Sequence, residues 1–305
     1  MRDATPDVDV IIVGAGPAGL SAALILGRCR RSVVVFDIGQ PRNAASQAMH
    51  GYLTRDGVPP AEFLRLARDD LRQYETVSLR DEEVVAAECA PGACFAVTVA
   101  SGERVTARKL LIATGVADNL PEIEGFGAFY GRSIFHCPYC DGWEVRDRPI
   151  AVYGNGERGL GLSLELTCWS RDLVLVTDGP CEIDADGRAR LERHRIAIRE
   201  ERIVRLEGTN GQLTHLAFAD GTRLPRQAMF FTTGQSQRSD LLMRLGCKFN
   251  DKGTVSTGKY ETTHIPGLFV AGDASRAVQW VIVAASEGAE AAFAINTAFL
   301  KEDLE

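Results

Sequence analysis

Long apolar runs are missing from this sequence. No stretch of eighteen apolar residues occurs, which leaves no candidate for a membrane-spanning helix. Concentrated positive charge is also scarce: the net charge is −7, and Arg28-Cys29-Arg30-Arg31 is the one basic run, read as a solvated helix end. Nucleic acid and anionic membrane surfaces both demand a basic patch, so neither is expected as a partner. Met1-Arg2-Asp3-Ala4-Thr5-Pro6 lacks the basic-then-apolar order of a signal peptide, and a cytoplasmic location is the expectation. The eight cysteines include no second C-x-x-C, and no H-x3-H accompanies them, so a closed four-ligand zinc site is not expected and no metal is assigned. Cys29, Cys89, Cys94, Cys168, Cys181 and Cys247 are scattered singly in or beside apolar runs and are expected to be small buried hydrophobes.

What is present is a repeated pattern. With 305 residues and 45% hydrophobic content, the chain is long enough for about two domains. Val8 to Val13 reads as a buried strand, Gly14-Ala15-Gly16-Pro17-Ala18-Gly19 is G-x-G-x-x-G, and Leu20 to Leu26 reads as the following helix. In that setting Gly14 permits the tight turn, Gly16 lets the backbone approach a pyrophosphate, and Gly19 lets the helix pack on the strand. The next strand ends at Asp37, eighteen residues past Gly19, a spacing that suits a carboxylate accepting from ribose hydroxyls; the alternative is a turn cap. A helix from Pro60 to Tyr74 and short strands between Glu83 and Thr106 lead to an apolar strand ending in Ala113-Thr114-Gly115. The second round runs from strand Pro149 to Tyr153 through Gly154-Asn155-Gly156-Glu157-Arg158-Gly159 and a helix to about Trp169. It continues through strand Leu173 to Val176 and closes on Met229 to Gly234. The chain then returns to a strand delivering Gly272-Asp273. The expected fold is therefore α/β, with two Rossmann-like dinucleotide-binding domains, three-layered and carrying small β-meanders.

Just before the second glycine loop stands His136-Cys137-Pro138-Tyr139-Cys140-Asp141-Gly142. A C-x-x-C pair closes readily into a disulfide, and a helix starting at the proline would favour the thiolate of Cys137, the expected attacking thiol. In a reducing compartment such a pair is expected to cycle rather than to staple. Asp141 is a candidate acid-base group beside the sulfurs, or else a turn residue before Gly142.

Taken in order, these motifs resemble the low-molecular-weight thioredoxin reductase family of FAD-dependent pyridine nucleotide-disulfide oxidoreductases over nearly the whole length. The resemblance implies an FAD domain at 1–117 and 245–305, interrupted at 118–244 by an NAD(P)-type domain with the redox cysteines. It implies that Gly14, Gly16, Pro17, Ala18, Gly19, Asp37, Thr114, Gly115, Gly272, Asp273, Gln279 and Trp280 hold FAD, with Asp273 on the ribityl chain. It further implies that Cys140 meets the flavin, that Cys137 attacks the partner disulfide, and that Asp141 handles the proton. Thioredoxin or another thiol-disulfide protein is the implied partner, and a homodimer the implied assembly.

Three segments depart from the family pattern. Where NADPH-dependent members carry a basic cluster, Thr177 leads into Asp178-Gly179-Pro180, so NADPH is disfavoured and NADH or reduced ferredoxin stays open as donor. Met49-His50-Gly51 to Gly57 and Val278-Gln279-Trp280-Val281 also differ, which would place His50 and Trp280 near the flavin, although core packing is an equal reading for Trp280. The departures are similar to the deeply rooted and ferredoxin-linked members that lack the nicotinamide-phosphate site. Dithiol oxidases that pass electrons to oxygen are a second reading, but there a His follows the second cysteine. A flavin-bound redox sensor is a third.

Overall fold

The computed structural model describes residues 5–92 and 94–304. Met1 to Ala4, read above for a leader, lie outside the described residues. The chain divides into two compact units, one comprising the chain up to Ala44, Tyr52–Ala117 and everything from Gln235, the other comprising Ala45–Gly51 and Asp118–Gly234. The return falls at Gln235 rather than near residue 245, because Leu241 and Leu242 bury in the core of the first unit. The segment Ala45–Gly51, expected in the first domain, belongs to the second. Gly131, at φ +75°, lies so close to it that a Cβ would stand 2.2 Å from the Ala45 carbonyl oxygen.

In the first unit β1 (Val8–Val13), α1 (Pro17–Arg28), β2 (Val33–Phe36), α2 (Pro60–Leu71) and β3 (Val77–Arg80) are followed by the strands β4 (Val84–Ala90), β5 (Cys94–Val99) and β6 (Arg104–Ile112). The sheet order is β3-β2-β1-β6-β5-β4, parallel through β6 and antiparallel in the β4-β5-β6 meander. Strand alternation divides the core as two-residue periodicity requires. Val10, Ile12, Val33 and Val35 face the helices, while Ile11, Val13, Val34 and Phe36 face Phe95, Val97 and Val99. Each fully buried side chain of this size contributes about 1.5–3 kcal/mol.

After β7 (Val116–Asp118), which lies in the first unit up to Ala117, the second unit runs through α3 (Phe126–Phe129), β8 (Ile134–Phe135), α4 (Pro138–Asp141), β9 (Ile150–Tyr153), α5 (Gly156–Glu165) and β10 (Leu173–Val176). It continues with α6 (Ala185–Arg193), β11 (Ala197–Arg199), β12 (Ile203–Thr209), β13 (Gln212–Phe218), β14 (Arg223–Pro225) and β15 (Ala228–Phe231). Its parallel sheet has the order β11-β10-β9-β15-β8, and β12-β13-β14 form an antiparallel meander. The chain closes with β16 (Gln235–Gln237), α7 (Leu241–Arg244), β17 (Leu268–Val270), which pairs with β6, and α8 (Val281–Leu304) in the first unit. The architecture is that of two Rossmann-like α/β domains. No helix among the described residues is long and apolar enough to cross a membrane.

The single cysteines correct the expectation of burial. Cys29, Cys89 and Cys168 are exposed, Cys94 and Cys181 are half-buried, and Cys247 alone is buried. An apolar run brings a cysteine to an element, but its position at a helix end or on a solvent-facing side of a strand decides its exposure. Cys29 caps the C-terminus of α1.

Candidate active site

The first glycine loop assigns each glycine a separate task. A Cβ on Gly14 would stand 2.3 Å from the Ala113 carbonyl oxygen, and one on Gly19 would stand 1.8 Å from the Gly14 oxygen, whereas a Cβ on Gly16 would meet nothing within 4 Å. Gly14 and Gly19 therefore close the turn, and Gly16 opens it toward a ligand. Gly16 caps α1 without any side-chain hydrogen bond, Pro17 stands at the first helical position, and no acid occupies the first turn. The positive end of the helix is left for an anion.

Asp37 braces this loop from the end of β2. Its Oδ1 accepts from the Ala15 N–H at 3.0 Å, and its Oδ2 accepts from the Arg68 guanidinium at 2.7 Å and the Gly39 N–H at 3.2 Å. Across the strand ends, the Thr114 hydroxyl is buried without a hydrogen-bond partner, and Gly115 takes φ +68°. An unpartnered hydroxyl beside an open glycine and a bare helix end fits the diphosphate and ribose of FAD.

Arg42, which the sequence reading missed, organises the other side of this unit. Its Nη1 donates to Asp273 Oδ2 at 2.9 Å and to Gln279 Oε1 at 2.6 Å. Asp273 and Gln279 are thus brought together, and Trp280, 38% exposed just ahead of α8, is not a core residue. The signal was a lone arginine in Pro41-Arg42-Asn43, which carries no spacing rule.

Behind Asp273 lies a second feature the sequence did not show. The buried Glu287 on α8 accepts from the Gly272 N–H at 2.8 Å and from Arg276 Nε at 2.7 Å, and Arg276 also donates to the fully buried Glu261. Burial, with Glu261 adding to it, pushes the Glu287 carboxyl up to about 7. Two carboxylates around one guanidinium cannot both stay ionised cheaply in a desolvated site. Tyr260 and Glu261 both take positive φ, at 56° and 63°, to deliver Glu261 into this cluster.

In the second unit Cys137 and Cys140 are joined as a disulfide across the single turn α4, with Cα atoms 5.3 Å apart. Cys137 is the N-cap, and its carbonyl accepts from the N–H groups of Cys140 and Asp141 at 3.1 and 3.2 Å. Gly142 is dictated by packing, since a Cβ there would lie 2.6 Å from the Pro138 oxygen and 2.8 Å from the Trp169 ring. Asp141 is half-buried. Burial chiefly, and then the negative charge of Glu144, push its carboxyl up to about 7 against the opposing pull of His50. His50 Nε2 lies 3.6 Å from Glu144 Oε1. His136, next to Cys137, has its Nδ1 3.8 Å from Asp118 Oδ2 and 3.4 Å from the Tyr130 hydroxyl.

The second glycine loop keeps the frame and changes the lining. Gly154 and Gly159 are also too crowded for a side chain: a Cβ on Gly159 would lie 2.8 Å from the Gly154 carbonyl carbon. Asn155 at the N-cap of α5 accepts from the Gly156 and Glu182 N–H groups at 2.8 and 2.9 Å, and donates to the Pro180 carbonyl at 2.9 Å. Glu157 occupies the first turn of the helix. Asp178, at φ +52°, accepts from the Tyr153 hydroxyl at 3.1 Å and the Ile203 N–H at 2.8 Å. Burial first, then this carboxylate, push the Tyr153 phenol up to about 12.

The pattern of the pyridine nucleotide-disulphide oxidoreductases matches residues 8–288. The thioredoxin reductase aclD of Aspergillus oryzae is 31% identical over 96% of this chain and 96% of its own length. A Bacillus anthracis structure described as a thioredoxin reductase, TrxB, superposes with a TM-score of 0.91 at 32% identity, covering 97% of this chain and 99% of that one. The crystal structure of HlmI gives a TM-score of 0.93 at 34% identity, over 97% and 94% of the two chains. The order of motifs, the paired folds and these likenesses agree: the chain belongs to the pyridine nucleotide-disulphide oxidoreductase family, as a thioredoxin reductase-like flavin disulfide oxidoreductase.

Proposed function

We propose that the protein moves an electron pair between FAD and the Cys137–Cys140 pair, and onward to a disulfide of thioredoxin or a thioredoxin-like protein. The observation that carries this reading is Asp141, a carboxyl that titrates near neutrality and comes directly after a closed cysteine pair. FAD, when bound, supplies the electron pair. In this reading Cys140 takes the flavin side and Cys137 the partner side. The Cys137 thiolate attacks one sulfur of the partner disulfide, so that a Cys137–partner bond forms and the partner's own bond breaks. Asp141 gives its proton to the leaving sulfur, then takes the Cys140 thiol proton as Cys140 attacks Cys137 and expels the partner. That proton goes to the second leaving sulfur. The partner departs as a dithiol with two electrons and two protons, and the Cys137–Cys140 bond is restored.

NADPH is not the donor in this reading; NADH or reduced ferredoxin takes that place. Supporting it, the carboxylate of Asp178 stands just past β10, where a 2′-phosphate would need a cationic partner. We further read the protein as a cytoplasmic homodimer, which light scattering on the purified protein tests. Anaerobic mixing with NADPH, NADH or reduced ferredoxin, followed by oxidised thioredoxin, tests the electron path through bleaching and recovery of the flavin. Cys137→Ser is expected to show a long-wavelength charge-transfer band from the Cys140 thiolate, and Cys140→Ser to trap a mixed disulfide with thioredoxin. Asp141→Asn is expected to slow turnover by roughly 10²–10⁴-fold with the flavin retained. Full turnover in both cysteine variants would remove the dithiol from the mechanism.

A further inference from the structure

Asp141 accepts no side-chain hydrogen bond from any described residue, so its proton is governed by burial and the charges around it. Two charged side chains stand there. Glu144 lies three residues further along the same turn, and His50 arrives from the Ala45–Gly51 segment, which packs with this unit although it comes some ninety residues earlier in the chain. The two meet at 3.6 Å, Nε2 to Oε1.

We infer that His50 and Glu144 act as a pair that sets how firmly Asp141 holds its proton, which makes both of them positioning residues of dithiol exchange. The inference rests on reading Asp141 as the acid. Glu144 repels the ionised Asp141 and favours its protonated form; His50 opposes that field. The pair therefore acts on the Asp141 carboxyl from two opposite sides of charge, Glu144 raising its proton affinity and His50 lowering it. It also gives a physical reason for the departure of Met49-His50-Gly51 from the pattern of the family: a segment from early in the chain crosses to the second unit and supplies the charge that tunes its acid.

The test uses the full FAD-loaded chain, oxidised, with the Asp141 carboxyl carbon followed by NMR across pH and assigned by its loss in Asp141→Asn. Glu144→Gln is expected to lower the Asp141 midpoint, and His50→Gln to raise it, each by about half a pH unit or more. The corresponding limb of the pH profile for thioredoxin reduction is expected to move in the same two directions. In the Asp141→Asn background neither variant is expected to move that limb. Thermal midpoints are expected to stay close to the parent, since a partly exposed pair adds little to folding. An Asp141 midpoint unmoved by either variant, or moved the same way by both, overturns the inference. If the midpoints shift as expected while Asp141→Asn keeps full turnover, the pair tunes Asp141 but Asp141 is not the acid, so the two failures are told apart.

Discussion

The segments from Gly14 to Gly19 and from Gly154 to Gly159 turn the chain from strand to helix in the same way, with Gly14, Gly19, Gly154 and Gly159 too crowded for a side chain. Past the turn the two loops part. The middle glycine faces open space in both, but ahead of α1 no side chain caps the helix and no acid enters its first turn. Ahead of α5 the Asn155 side chain caps the helix and ties it to residues 180–182, and Glu157 stands in the first turn. Every helix start carries unsatisfied N–H groups and a partial positive charge. The first fold leaves them without a side-chain cap, and the second caps one of them, the Gly156 N–H, from within the protein. A matching glycine spacing thus establishes a backbone turn; whether a nucleotide can use it depends on the residues between and beyond the glycines.

The largest effect expected from breaking this contrast comes from Gly16→Asp, which puts a carboxylate into the open space at α1. Flavin content after purification should fall by at least about 100-fold, whereas Glu157→Gln in the second loop should leave it unchanged. Equal flavin loss in both would erase the distinction.

Next in size is the buried cluster that holds Gly272 in the first unit. Glu287 has its carboxyl raised from 4.5 to about 7, so the folded state binds that proton more tightly than the unfolded chain. Its contribution is present below about pH 4.5 and is lost as pH rises through 7, a fall of up to about 3 kcal/mol. Denaturant titrations at several pH values should show this slope in the parent and a flatter one in Glu287→Gln. Glu287→Leu, which strands the Gly272 N–H and Arg276, should cost about 3–5 kcal/mol and loosen FAD as well.

The smallest effect sharpens the second half of the contrast. Asn155→Ala should cost about 1 kcal/mol of stability, the usual worth of an N-cap, without lowering any nucleotide affinity. Calorimetric titration of the parent with NADPH should show no submicromolar binding; such binding, lost in Asn155→Ala, would make the second loop a working site.

Much of the architecture is legible in the sequence because its causes are local. The alternation of Val10 to Val13 and the glycine triplets are fixed by backbone sterics and by a two-residue period, so both folds and the C-x-x-C turn come from short windows of chain. Asp178 reads as hostile to a phosphate, and its carboxylate is held by Tyr153 and Ile203 rather than left facing a ribose. Asp37 stands where its spacing suggests, but it braces Ala15 and Arg68 within the protein.

The sequence by itself determined that this protein has two nucleotide-type folds, an opening glycine loop fit for a diphosphate, and a redox-competent cysteine pair followed by an acid. Tertiary structure alone decided that Ala45–Gly51 crosses to the second unit, that His50 meets Glu144 there, that Arg42 gathers Asp273 and Gln279, and that Glu287 secures Gly272. The division has one physical origin. Turn geometry and periodic burial are written in neighbouring residues, whereas a carboxyl's proton affinity depends on charges and desolvation brought to it by distant segments, for which no spacing in the chain stands.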